Sequence, residues 1–194
     1  MSIRLAQRAD IPRILEIYAP YVEKTTYSFE YEVPTLDAFT QRFEAITAQF
    51  PWLVWEEKGR VLGYAYASAP FERAAYSWCT EPSIYLAPEI QGKGVGKLLY
   101  LVLEELLRLQ GYRVSYAIIT TENRHSVDFH AAMGYTHLAT FPNCGFKHGR
   151  WLGTIWMEKT LKIVESPSNM PVSFSSIVNN DGKLFEILAK MPLS

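Results

Sequence analysis

The sequence predicts a mixed α/β domain built around one sheet. Three observations carry that prediction. The apolar residues switch repeatedly between a period of two and a period near 3.6 along the chain. Helical stretches alternate with strands in the order β, two helices, three strands, helix, strand, helix, two strands. A run of alternating glycines sits where a strand gives way to the longest helix. At 194 residues, 48% hydrophobic and 20% charged, the chain is long enough to close its own core without metal or disulfide.

Each element follows from local chemistry. Ile3 to Leu5 reads as a first strand. Asp10 is placed to cap a helix with Pro12 in its first turn and Ile11, Ile14, Leu15 and Tyr18 on one face; Pro20 is expected to end or bend it. Thr25 to Tyr31 alternates aromatic and polar, as a strand or an extended lip does. Thr35 caps a second helix with Leu36, Phe39, Phe43 and Ile46 apolar. Trp52–Glu56 and Val61–Ala67 flank the Lys58-Gly59 turn as a hairpin. Residues 71–77 connect to a strand at Glu81–Leu86. A helix then runs from the glycine loop to Gln110, where Gly111 stops it. Val114–Thr120 is a strand, Ser126 caps a helix to Met133, and Thr136–Phe141 and Thr154–Leu161 are the last strands, with Asn143–Trp151 read as the loop between them. Residues 1–161 form the domain. Residues 162–194, Ser- and Pro-rich at 165–176 and weakly amphipathic at 183–189, read as an extension docked on this domain or on a partner chain.

Composition narrows function. A net charge of −1 argues against general nucleic-acid binding. No apolar run approaches a membrane span, and the N-terminus carries no secretory h-region. Cys79 and Cys144 are too few for a disulfide framework, read as packing thiols, and point to a reducing cytoplasmic compartment. His125, His130, His137 and His148 lack metal-ligand spacing, so no metal is expected.

The chemistry concentrates in Gln91-Gly92-Lys93-Gly94-Val95-Gly96-Lys97. Alternating glycines let the backbone turn its N–H groups inward, and the following helix adds the positive end of its dipole; such a concavity binds phosphate. A Walker A loop needs Ser or Thr after Gly96-Lys97, where this chain has Leu98, and the dinucleotide fingerprint needs glycine at Lys97. Neither fits. The Q-x-x-G-x-G pattern between strand and helix instead resembles the pyrophosphate loop of the GNAT acyl-CoA N-acyltransferases. The segments IYAPYVEKT, PWLVWEEKGRVLGYAYA, AYSWCTEPSIYL, NRHSVDFHAAMGY and GFKHGRWLGTIWM resemble the phosphinothricin and methionine sulfoximine N-acetyltransferases among them.

That resemblance, over residues 3–161, implies a sheet splayed at an acetyl-CoA site. The pantetheine arm would pair along Ile84-Tyr85-Leu86, the pyrophosphate would rest on residues 92–97, and Asn123 and Ser126 would touch the thiol end. A backbone N–H near Leu86 would polarise the thioester. Glu81 takes the place of the family's catalytic glutamate, and a partly buried carboxylate suits a general base for an amine. His130 stands where many members have a proton-donating Tyr. Arg73 would grip an acidic group of the acceptor, Phe29 and Tyr76 would wall the pocket, and Lys147 would face an anionic substrate. The resemblance further implies a homodimer. The leading expectation is acetylation of the α-amine of a small amino acid or analogue. The alternatives are a protein or peptide N-acetyltransferase, favoured by a long open groove, and a non-catalytic acyl-CoA sensor, favoured by a Glu81 turned away from the cofactor.

Overall fold

A computed structural model describes residues 1–163 and 169–178. Seven strands form one mixed sheet in the order β1-β2-β3-β4-β5-β7-β6. They are β1 (Ser2–Leu5), β2 (Trp52–Glu57), β3 (Arg60–Ser68), β4 (Cys79–Leu86), β5 (Val114–Thr120), β6 (Thr136–Lys147) and β7 (Arg150–Thr160). The helices are α1 (Ile11–Lys24), α2 (Leu36–Thr47), α3 (Val95–Gln110), α4 (Arg124–Ala132) and a short α5 (Phe174–Val178).

The pairing between β4 and β5 sets up the site. It is the sheet's one parallel pair among the described residues, and it spans only Cys79↔Val114 and Thr80↔Ser115. Beyond Thr80 the strands part. β4 stays on β3 through Leu86, and β5 stays on β7 through Thr120. A wedge therefore opens in mid-sheet, walled by two strands that are each held firmly on their outer side. Each sheet face carries its own helices. Tyr64, Tyr66 and Tyr85 pack with Tyr18, Trp52 and Phe39 under α1 and α2. The opposite face meets α3 so closely that a Cβ on Gly96 would lie 3.3 Å from Ile84 Cδ1.

Several elements depart from the sequence reading. Asp10 precedes α1 but does not cap it. Its carboxylate is taken by Arg4 Nη1 at 2.7 Å and by the Gln7 N–H at 2.7 Å, and the ion pair with Arg4 holds its pKa below the usual range. Helix α1 continues through Pro20 to Lys24. β4 starts at Cys79, two residues early, and the α4 cap is Asn123, whose Oδ1 accepts from the Ser126 N–H at 3.1 Å. Thr35 caps α2 as expected, accepting from the Ala38 N–H. The expected loop Asn143–Trp151 is mostly strand. β6 runs to Lys147 and turns at His148-Gly149, and bulges at His137–Ala139 and Phe141–Gly145 hide its alternation. Cys144 is exposed.

The described part of the extension docks on its own domain. The Val172 N–H donates to Gln110 O (2.9 Å), Gln110 Nε2 donates to Val172 O (2.9 Å), and the Phe174 N–H donates to Gln49 O (3.0 Å). Phe174 is buried; the 183–189 expectation lies outside the described residues. Phe174→Ala should cost about 3 kcal/mol in urea unfolding, at the low end for a buried Phe because the side chain borders an open groove beside Phe50 and Trp52.

Candidate active site

The wedge holds a cavity of about 280 Å³ that passes through the sheet. In a parallel pair, matched residues share a face, so the Cys79↔Val114 match puts Glu81 on the same side as Tyr116, Ile118 and Thr120. That side also holds the lip, with Tyr27, Ser28 and Phe29 lining the cavity. On the other side the lining passes to Ile84, Tyr100, Asn123, Ser126 and His130, beneath α3 and α4. An extended molecule threading the wedge would meet both.

Glu81 faces the cavity from the third residue of β4. Burial pushes its carboxyl up from 4.5 to about 7. Among the described residues nothing hydrogen-bonds the carboxylate, so its charge is neither neutralised nor anchored. Such a group is poised to accept a proton at neutral pH.

The end of β4 shows how the gap is furnished. The Leu86 N–H donates to Tyr21 Oη at 3.2 Å, and Tyr21 Oη donates back to Leu86 O at 2.6 Å. Both polar groups of Leu86 thus point away from β3, while the Ala87 N–H turns back to Leu62 O. By the alternation of an antiparallel pair, those of Ile84 point the same way as Leu86, into the gap. Tyr21 occupies the Leu86 N–H expected to serve a thioester. The Ile84 groups are the ones left to pair with a ligand chain.

Gly92 (φ +73°) and Gly94 (φ +79°) hold left-handed backbone that other residues rarely adopt. The turn delivers the chain to α3 with no side-chain cap at Gly94. The first intrahelical N–H donor is Leu98, to Gly94 O at 3.3 Å, so the N–H groups of Val95, Gly96 and Lys97 stay available at the positive end of a 16-residue helix. Lys93 and Lys97 are exposed beside it. This anion cradle lies outside the cavity lining, next to the wedge through the Gly96–Ile84 contact.

His130 is 3% exposed, and burial pulls its pKa down from 6.5 to about 4. The carbonyl of Ser126 can only accept, so Nδ1 carries the proton and donates to it at 2.7 Å. Nε2 then accepts from Tyr100 Oη at 2.8 Å. Burial thus disfavours the imidazolium, and in this geometry His130 holds the Tyr100 hydroxyl in place.

The expected acceptor-binding residues separate. Phe29 lines the cavity with Glu81. Arg73 and Tyr76 line a second cavity of about 270 Å³ with Phe71, Cys79 and Tyr112, rimmed by Met170 and Pro171 of the extension. Cys79 and Glu81 share a face of β4 two residues apart, although the two linings have no residue in common. Lys147 is in neither; its amine is buried against backbone carbonyls. Tyr21, Tyr27, Ser28, Tyr100, Thr120 and Thr154 line the cleft without having been singled out in the sequence. Of these, Tyr100 falls on the apolar stripe of α3 and reads as core, whereas the alternation at 25–31 was a usable signal for the lip.

Among the described residues no three His, Cys, Asp or Glu side chains gather to hold a metal ion, and no helix is long and apolar enough to cross a membrane.

Comparison with known proteins decides the family. Residues 3–156 match the acetyltransferase (GNAT) domain. The chain belongs to the GNAT acetyltransferases. It is 33% identical over 167 residues to the phosphinothricin N-acetyltransferase of Streptomyces viridochromogenes, covering 86% of this chain and 91% of that one. It is 35% identical to the L-methionine sulfoximine/L-methionine sulfone acetyltransferase of Salmonella typhimurium, over 83% of this chain and 95% of the other. A GNAT phosphinothricin acetyltransferase from Sinorhizobium meliloti, crystallised with acetyl-CoA, superposes with a TM-score of 0.81 at 37% identity, over 88% of this chain and 92% of that one. This GNAT acetyltransferase thus shares sequence and overall fold with proteins named for the acetylation of phosphinothricin and methionine sulfoximine. Its residues beyond 156 lie outside the matched domain.

Proposed function

We propose that this enzyme transfers an acetyl group from acetyl-CoA to the α-amine of a small amino acid or analogue of the phosphinothricin and methionine sulfoximine type. The observation that carries the reading is Glu81, a buried carboxylate with its pKa raised to about 7, inside a cleft opened by the parting of β4 and β5. The thioester arm would lie in the gap beside Ile84, with the diphosphate on the N–H groups of residues 92–97. The acceptor amine would enter from the lip side. An α-ammonium has a pKa of about 8, close to that of Glu81, so proton transfer to Glu81 is nearly thermoneutral. The freed amine attacks the thioester carbonyl to form the C–N bond; the C–S bond breaks, the second proton lost by the nitrogen passes through water to the departing CoA thiolate, whose thiol pKa is near 8.5, and Glu81 returns its proton to solvent. Arg73 and Tyr76, in the second cavity on the same face of β4, would receive the acceptor's acidic group. The exposed apolar side chains of the β6–β7 hairpin, Leu138, Phe141, Phe146 and Trp151, fit a homodimer contact.

The test is acetyl-CoA-dependent thiol release over a panel of amino acids, methionine sulfoximine, methionine sulfone and phosphinothricin, with products weighed by mass spectrometry. Turnover of free amino acids supports the reading. Turnover confined to peptides transfers the activity to the protein-acetylating class, and acetyl-CoA binding without turnover leaves a sensor. The phosphate cradle has its own signature. Gly94→Ala forces a Cβ into left-handed backbone at a cost of about 1–2 kcal/mol. It should raise the KM for acetyl-CoA roughly tenfold while leaving kcat within twofold.

A further inference from the structure

The lip at residues 25–31 has no ladder of its own, yet it supplies Tyr27, Ser28 and Phe29 to the cleft wall. Tyr18 of α1 bonds Ser28 Oγ at 2.7 Å and Arg42 of α2 pairs with Glu30, and from the other side the lip is tied to the tip of the β6–β7 hairpin. Lys147, only 3% exposed, donates from Nζ to Val22 O at 2.7 Å and to Ser28 O at 2.6 Å, joining the end of α1 to the middle of the lip. Tyr31 Oη donates to Phe146 O at 2.5 Å. One Glu122 oxygen accepts from Thr26 Oγ1 at 2.9 Å and from Arg150 Nη2 at 2.8 Å. The Phe29 ring lies against the bare backbone of Gly145, where any Cβ would run into it.

Burying an ammonium is costly unless its protons are taken up by good acceptors. Here the acceptors are two backbone carbonyls, one at the end of α1 and one in the lip, two segments that Tyr18 Oη also joins through Ser28 Oγ at 2.7 Å. An apolar side chain at 147 would strand both carbonyls and release the lip at its centre. The arrangement has no use for Lys147 as a contact to an acceptor, because its amine points under the lip and away from the cavity lining.

We infer that Lys147 is a positioning residue: acting through the lip, it holds Phe29 in the cleft wall and so sets which amines fit beside Glu81. Gly145 is its structural partner, since only glycine lets the Phe29 ring seat. This inference rests on the reading of the cleft as the acceptor site. It predicts selectivity for compact amino-acid acceptors over bulky amines.

Two independent readouts test it in the full chain. The first is amide hydrogen exchange of residues 25–31, which needs no substrate. Lys147→Met should speed exchange there at least tenfold while α3 and β5 keep their protection, with Lys147→Arg in between. The second is kinetic. Lys147→Met should raise the KM for a small amino-acid acceptor about tenfold, leave the KM for acetyl-CoA within twofold, and narrow the preference over a bulky amine. Gly145→Ala, which displaces Phe29 without touching the ammonium, should change the same acceptor terms, and it stands in if Lys147→Met does not fold. Unchanged lip exchange in Lys147→Met, or in Gly145→Ala where only that variant folds, overturns the inference. So does a parallel rise of both KM values, which would mark general destabilisation. A loss restricted to acceptors with an acidic group, with the lip still protected, would also overturn it and return Lys147 to direct contact. If the wild type acetylates no amino acid, the proposed function fails while the exchange experiment still decides whether Lys147 holds the lip.

Discussion

Glu81→Gln should lower kcat by about 10²–10⁴-fold while leaving acetyl-CoA binding intact, the loss typical of removing a positioned general base. The amide keeps the volume and removes only the proton acceptor. The pH profile separates this from a steric effect. In the wild type, kcat/KM for the acceptor should rise about tenfold per pH unit below the Glu81 pKa of about 7 and level off above it. In Glu81→Gln the residual activity should instead follow the amine's own ionisation, with its limb near pH 8. A variant that keeps the limb near 7 would show that another group titrates there. Burial raises this pKa, with no charged neighbour among the described residues contributing, so the limb should be nearly independent of salt.

How much of this was legible in the sequence depends on whether a residue's role is local. The glycine loop was legible, because left-handed turns and helix starts are written in adjacent residues; Gly92 and Gly94 do adopt φ near +75°. The seven strands and their sequence order were legible from periodicity, except where the bulges of β6 broke it and Asn143–Trp151 read as loop. The parting of β4 from β5 was not written in either strand. It follows from what each strand pairs with on its other side, and it entered only through resemblance to a family. Lys147 shows the limit most clearly. A lysine in a polar, glycine-flanked stretch reads as a solvated cation facing a substrate. Its carbonyl acceptors lie 119 and 125 residues away, so only the fold reveals that the charge is buried and structural. His130 meets the same limit, since its partner Tyr100 lies far from it in the sequence and its burial is set by the fold.

Glu81 and His130 also oppose each other in the pH dependence of stability, and separating them is the second large effect. Glu81 binds a proton more tightly in the folded state, with its pKa raised from 4.5 to about 7. Its contribution is therefore unfavourable as pH rises, growing through that interval and constant above it. His130 binds a proton more weakly when folded, with its pKa lowered from 6.5 to about 4. Stability from this group is complete above 6.5 and is lost as pH falls toward 4. Each shift corresponds to about 3 kcal/mol. Because the windows overlap, the two slopes nearly cancel in the ligand-free wild type between pH 4.5 and 6.5. Glu81→Gln removes one of them. Relative to wild type it should be close to neutral at pH 4.5 and more stable by about 3 kcal/mol at pH 8, read as the difference in urea midpoints at constant m-value. His130→Gln, whose amide can still face Tyr100 and Ser126, should do worst against wild type at neutral pH and recover by about 3 kcal/mol toward pH 4. Contributions from other carboxylates, such as the Asp10–Arg4 pair, are common to all three proteins and drop out of the differences. A Glu81→Gln protein no more stable than wild type at pH 8 would mean that the carboxylate is solvated in the free enzyme. Its basicity would then have to arise only when acetyl-CoA closes the cleft, and the kinetic limb near pH 7 would appear in kcat and in kcat/KM for the acceptor at saturating acetyl-CoA but not in kcat/KM for acetyl-CoA.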